Sequence, residues 1–277
     1  MNIFAADTET LGLIPGEHRV IELSFARVTD GDWSNFKIET FRFVPRPEHF
    51  VKAHPKALEV NGYREGHPDW KGAPEIGSPE AADIWRYVVS RTRGAALLCQ
   101  NVPFDRGMMW EEMRLHGAYA VPHGVGPEDG PWEKHFIEVR KCSTFLQKKH
   151  GWRSASLNPL YEACCSTFGA PQLPHQHRSE SDVLRALWVW AHASALSGDA
   201  SVPELSVKMA IQGWLKGIGT ETREATLPGP LKSVEYRVTL LPSDISPPTE
   251  DGQVTLLPSD IPPPTEDELI ASGGKAS

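Results

Sequence analysis

The chain has 277 residues, 40% of them hydrophobic, with a mean hydropathy of −0.36 and a formal net charge of −8. These values fit a soluble globular protein with a real core, in one large domain or two small ones, and no run nears the roughly 18 apolar residues that a membrane helix needs. The four cysteines (Cys99, Cys142, Cys164, Cys165) show no Cys-x-x-Cys spacing, so the composition points to free thiols in a reducing cytoplasm rather than to a zinc site or a disulfide framework.

The opening run Asn2 to Ala6 is short and apolar. Asp7 and Glu9 interrupt it and no basic stretch precedes it, so it is expected to be a strand and not a secretory signal. Arg19 to Val28 and Phe36 to Val44 read as two further strands of a meander, with Gly31-Asp32 as a turn signal between them. Residues 79–92 place Ala82, Ile84, Tyr87 and Val88 at helical spacing. Ala95 to Cys99 is a buried-strand candidate, and Asp105 to His116 and Leu157 to Phe168 read as helices. In Asp182 to His192, the residues Leu184, Leu187, Trp188 and Ala191 form a core-facing stripe. Strands followed by helices alternating with strands predict an α/β fold, a mixed sheet flanked by helices.

A further helix is expected over Pro203 to Leu215. Beyond Gly219 the composition changes. Val238 to Asp251 recurs as Val254 to Asp267 with a period of 16, and only Ser246 versus Pro262 differs. Two copies cannot bury a solenoid core, and proline and acid dominate, so a disordered tail is predicted. The resulting division is 1–198 as the main domain, 199–236 as accessory helix and linker, and 237–277 as tail. Residues 238–277 hold seven acids and one base, which is −6 of the total −8 and leaves −2 for the first 237 residues.

Four acids and a histidine stand out against this frame. Asp7 and Glu9 are two apart on a strand, so their side chains share a face. Asp105 follows the strand Ala95 to Cys99 and the turn Gln100 to Pro103, at the start of a helix, where the helix dipole alone would favour an acid. His177 and Asp182 are five apart, which suits a loop histidine followed by a first-turn acid. Ser179-Glu-Ser-Asp182 has the pattern of a capping box that would start that helix, and His175 competes with His177 as a candidate base. Four converging carboxylates would make an oxygen-rich site for a hard divalent cation, and a histidine beside them could take a proton from bound water.

Asp-Thr-Glu-Thr, then Asn-x-x-Phe-Asp, then His-x-x-x-x-Asp resemble the three motifs of the DEDDh-type 3'-to-5' exonucleases. That family of the DnaQ-like superfamily includes the proofreading epsilon subunit of bacterial replicative polymerase and ribonuclease T. Val20-Ile-Glu-Leu, Pro55 to Gly62, Phe104 to Met109 and Ser156 to Leu160 match it in kind, and the resemblance covers about residues 1–195. Asn61 stands where the family usually has histidine. The resemblance implies a ribonuclease-H-like fold with a central mixed five-stranded sheet. It implies that Asp7, Glu9, Asp105 and Asp182 hold two ions of magnesium or manganese. His177 would be the general base for release of nucleoside 5'-monophosphates from 3' ends.

The expected partner is a single-stranded or frayed 3' end, with DNA favoured. A body of charge −2 carrying divalent cations can accept a short stretch of phosphate backbone. The alternatives are an exoribonuclease of the ribonuclease T or oligoribonuclease type, or a replication-associated binding module recruited through its tail. Gln253, Leu256 and Leu257 resemble short peptides that dock on bacterial sliding clamps, although such pentapeptides are common by chance.

Overall fold

The structure is a computed structural model and describes residues 3–28, 37–119, 126–134, 136–152, 154, 156–168, 173, 177–197, 220–225 and 234–240. Three antiparallel strands, β1 (Ile3–Thr10), β2 (Val20–Val28) and β3 (Lys37–Arg42), form the expected meander. β4 (Ala96–Cys99) runs parallel to β1, and β5 (Ile137–Glu138) runs parallel to β4. These five strands make the mixed sheet that the sequence predicts. Two more, β6 (Thr220–Ala225) and β7 (Val234–Leu240), extend it past β3, giving the order β5-β4-β1-β2-β3-β7-β6.

The hairpin of β6 and β7 is a departure from the expected linker and tail, and β7 crosses the anticipated boundary at residue 237. Its signal is in the sequence: Val234, Tyr236, Val238 and Leu240 alternate with Glu235, Arg237 and Thr239, the period of a strand. The expected helix Pro203 to Leu215, the rest of the tail repeat, and Gln253, Leu256 and Leu257 lie outside the described residues.

Alternation along β1 splits the core into two layers. Phe4 and Ala6 face one cluster with Leu23, Phe25, Phe41, Trp85 and Met109. Ile3 and Ala5 face the other with Ala26, Leu98, Leu160, Leu184 and Trp188. The first layer is covered by α3 (Pro79–Thr92) and α4 (Val102–Leu115), preceded by the short helices α1 (Pro47–Lys52) and α2 (Pro55–Asn61). α5 (Val139–His150), α6 (Leu157–Phe168) and α7 (Ser179–Ser197) cover the second. α3 starts where Ser78 Oγ accepts the Ala81 N–H at 3.1 Å, with Pro79 in the first turn. α2 and α5 end on Gly62 and Gly151 in the left-handed region, at φ of 70° and 71°. α4 begins at Val102, three residues before its expected start, because Pro103 sits in the first turn, where a missing N–H costs nothing. Cys99, Cys164 and Cys165 are free and buried. Among the described residues, no helix is long and apolar enough to cross a membrane.

α4 is tied to the start of β2 by a largely buried ion pair. Glu112 accepts from Arg19 Nε and Nη2, both at 2.7 Å, and from the Val20 N–H at 3.0 Å. A forked guanidinium–carboxylate pair fixes geometry as well as charge. Truncating one partner strands the other in a site with little water, at a cost of up to about 3–5 kcal/mol. We therefore expect Glu112→Ala to lose ~3–5 kcal/mol in urea unfolding. A loss below ~1 kcal/mol would show that the pair does not hold α4 to the sheet.

Candidate active site

β1 continues as a strand through Asp7 and Glu9 to Thr10, so the two acids lie on a rigid element rather than just beyond one. Alternation turns both toward the α7 layer, together with Ile3 and Ala5. The register slips between Glu9 and Thr10, whose partners on β2 are Glu22 and Val20. Such an irregularity bends the strand and re-aims side chains where pairing ends. The loop that follows returns tightly: a Cβ on Gly12 would meet the His18 ring at 2.4 Å, and His18 Nδ1 accepts the Ile14 N–H at 3.0 Å.

His177 lies just before α7 with φ of 58°, the left-handed region that few side chains occupy. Asp182 falls in the first turn of α7, as the spacing predicts. One ligand atom each from Glu9, His177 and Asp182 lie within 4.8 Å of one another. Asp7 and Asp105 lie close enough to add their charge to the same pocket. Asp105 Oδ1 accepts from the Thr8 hydroxyl at 2.8 Å and from its N–H at 3.2 Å, which fixes the start of α4 against β1. His175 lies outside the described residues.

The expected capping box is not how α7 starts. The Asp182 N–H bonds the Arg178 carbonyl at 3.0 Å, and the Ser179 hydroxyl is engaged by Glu22 Oε1 at 2.8 Å and Ser24 Oγ at 2.7 Å. Glu22 instead caps the helix from across the sheet, accepting the Ser179 N–H at 2.9 Å. Its other oxygen accepts from Arg42 Nε at 2.6 Å and the Tyr63 hydroxyl at 2.5 Å.

Electrostatics separates the acids into two kinds. Burial pushes Asp7 well above the usual carboxylate range, and Asp105, Asp182, Glu9 and Glu22 push it further. Glu9 rises by burial and by the charges of Asp182 and Glu22, with Arg178 opposing. Asp105 is pushed up to about 7 by burial, against the two bonds from Thr8. Asp182 also rises by burial, although Arg185 sits 2.6 Å away and His177 is near. Glu22 is the exception: burial would raise it, but Arg42 and the bonds from Tyr63 and Ser179 together lower it. It stays anionic and structurally engaged. Burial also lowers His177, with Arg185 and Arg178 adding to the effect and Asp182 opposing it, so the imidazole is held neutral and able to accept a proton.

Four carboxylates that resist ionising together, with a neutral imidazole beside them, form a donor set that a divalent cation would relieve. Glu9, His177 and Asp182 bring their donor atoms together for it, and Asp7 and Asp105 are near enough to add charge. A ring nitrogen of His177 lies within 4.8 Å of an oxygen of Glu9 and of Asp182, so it is closer to the donor set than a base standing apart from it.

Several residues of this region were not singled out by sequence. Glu22 could have been found as a lone acid inside the apolar run Val20 to Phe25. Arg185 lies three residues after Asp182 on one helix face and also bonds the Leu173 carbonyl at 2.9 Å. Arg178 Nη1 bonds the carbonyls of Asn61 at 2.5 Å and His177 at 3.1 Å, and its guanidinium lies 4.5 Å from the Tyr63 ring centre. Asn61 in turn donates to the Thr10 carbonyl at 3.0 Å. It is therefore a structural link between α2 and β1.

No family model matches the sequence, and no curated protein matches it. Solved structures do. The zinc-bound form of Escherichia coli exonuclease I in complex with single-stranded DNA superposes with a TM-score of 0.52 at 17% identity, over 72% of this chain and 41% of that one. A structure of exonuclease I bearing on processivity gives 0.49 at 15% identity, over 69% and 40%. The first likeness shows a shared fold, the α/β fold expected from sequence. This chain spans about two fifths of the length of those proteins.

The raised carboxylates set a pH dependence in protein stripped of metal. A group whose folded pKa lies above its unfolded value binds more protons when folded, so stability falls as pH rises between the two values. For Asp105 that window runs from about 4 to about 7. With chelator present, unfolding free energy is expected to fall across it, and Asp105→Asn, which keeps an acceptor for Thr8, is expected to flatten the fall. Parallel profiles for the two proteins would contradict the assignment.

Proposed function

We propose that this protein is a metal-dependent 3'-to-5' exonuclease that removes nucleoside 5'-monophosphates from 3' ends, with DNA as the favoured polymer. The observation that carries the reading is the meeting of Glu9, His177 and Asp182 within 4.8 Å, beside Asp7 and Asp105. Residues far apart in sequence converge there on strand and helix ends. The three motifs of the DEDDh family supply those same five residues. The fold likeness to exonuclease I supports the reading, and DNA is favoured because that protein is seen bound to single-stranded DNA.

Asp7, Glu9, Asp105 and Asp182 would hold magnesium or manganese, two ions in the reading that the family motifs favour. Bound there, the cations would lower the pKa of water and offset charge on a phosphodiester. The chain's own part is largely positional. β1 presents Asp7 and Glu9 from a rigid strand, and Thr8 holds Asp105 against it. Arg185 orients Asp182 through one oxygen and leaves the rest of the carboxylate to face the cluster. His177, kept neutral by burial, accepts the proton of the attacking water. Its left-handed backbone fixes where the ring can reach.

The direct test places 5'-labelled single-stranded DNA, mismatched duplex DNA and RNA side by side with magnesium, manganese or chelator. A 3'-shortening ladder that needs the metal and is strongest on single-stranded DNA is expected; a stronger ladder on RNA would move the substrate to ribonucleic acid. Asp7→Ala is expected to reduce cleavage to background while keeping the wild-type circular dichroism spectrum, and full activity in that variant would sink the reading. His177→Ala is expected to slow turnover by ~10²–10⁴-fold, the usual contribution of a general base, and His175→Ala far less. Equal losses would mean that His177 is not the base.

A further inference from the structure

α5 carries Arg140, Lys141, Lys148 and Lys149 and no acid within its 12 residues, in a chain whose net charge is −8. Val139, Ser143 and Leu146 are buried, so the helix has a defined inner side. Arg140, Thr144 and Lys148 follow at intervals of four along the outer side, Lys141 lies one step around, and all four are exposed. Among the described residues Arg140 and Lys148 make no ion pair, whereas Arg19, Arg42, Arg46, Arg91 and Arg114 do. Lys141 is partly engaged, at 2.8 Å from Glu138, and lies 5.4 Å from the ring centre of Phe136. Phe136 is one of the few large apolar side chains left exposed among the described residues.

The stripe begins at the rim of the carboxylate site. β5 delivers α5 to the end of the sheet where β4 stops, and the Arg140 N–H donates to the Gln100 carbonyl at 3.2 Å. The next carbonyl, of Asn101, accepts the Asp105 N–H at 3.1 Å. From there α5 packs alongside α7 and extends for ~18 Å. Arg140 and Lys148 without ion pairs, Lys141 shared with Glu138, and an exposed aromatic ring at the head have the composition of a track for a single strand: cations follow the phosphates, and a ring stacks one base without reading it.

We propose that the outer face of α5, with Phe136, holds the strand upstream of the 3' end being cut. The inference rests on the exonuclease reading above. Arg140, Lys148 and, less fully, Lys141 meet phosphates along the strand, and Phe136 stacks a base. Contacts of this kind are blind to sequence and sensitive to salt.

The test measures binding of a fluorescent 20-nucleotide DNA strand to protein carrying Asp7→Ala, so that the strand survives, across a range of salt. Arg140→Gln plus Lys148→Gln is expected to make the slope of log affinity against log salt shallower by about 1.4, from two charges at ~0.7 each. Lys52→Gln plus Arg93→Gln removes the same charge from the other layer and is expected to leave the slope unchanged. Phe136→Ala is expected to weaken binding ~5- to 150-fold with little change of slope. Equal slopes for the two double variants would overturn the track. Cleavage of the p-nitrophenyl ester of thymidine 5'-monophosphate, too short to reach α5, reports on the exonuclease reading alone. Wild-type protein that cleaves this ester while the α5 variants bind the strand normally refutes only the track; inertness toward ester and strand alike refutes both.

Discussion

A single buried carboxylate, that of Glu22, holds the functional end of this fold together. It stands opposite Glu9 on the neighbouring strand, where two like charges would normally repel across the pleat. The repulsion is tolerated because Arg42, Tyr63 and Ser179 saturate both Glu22 oxygens. The same bonds join β2, β3, the segment after α2 and the start of α7 at one point. Without this anion the first turn of α7 would have an uncapped N–H in a dry environment, and Asp182 would lose its fixed position. Glu22 is thus an acid that serves to place other acids.

The remaining carboxylates show the opposite arrangement. They are buried near one another with few direct cationic partners: Arg185 reaches Asp182, and Arg178 acts on Glu9 from a distance. A protein that needed only stability would have filled this space with apolar side chains, since a buried cluster of like charge costs more than it returns. The cost makes sense if a multivalent cation completes the cluster. Rigid supports hold the acids in place: a β-strand for Asp7 and Glu9, Thr8 for Asp105, and Arg185 for Asp182.

Much of this was legible in the sequence, for reasons that differ by element. β1 to β4 were visible because their apolar residues are dense and their ends carry turn chemistry. α3 and α6 match the spans read from sequence, residues 79–92 from the spacing of Ala82, Ile84, Tyr87 and Val88, and Leu157 to Phe168. β5 was not located, because two residues have no period to detect. α1 and α2, of six and seven residues, are too short to show one. Glu9, His177 and Asp182, which the fold brings together, were each named from sequence, because motif residues keep local spacing wherever the chain carries them. The supports were not named: Glu22 meets Ser179 across 157 residues, and such a pairing leaves no local trace. The capping-box pattern misled for the same reason, since a distant carboxylate outcompeted the local one.

The bonds from the Arg178 side chain to the Asn61 carbonyl, and from the Asn61 side chain to the Thr10 carbonyl, link three segments far apart in the chain. Tyr63 adds a further tie, bonded to Glu22 and lying beneath the Arg178 guanidinium. These segments therefore cannot open one at a time. Fraying of α2 would release the residue after His177 and the end of β1 together, so this end of the protein behaves as one cooperative unit of local unfolding. A substitution in α2, with no group of its own in the site, would then register as a change in how often the whole site exists.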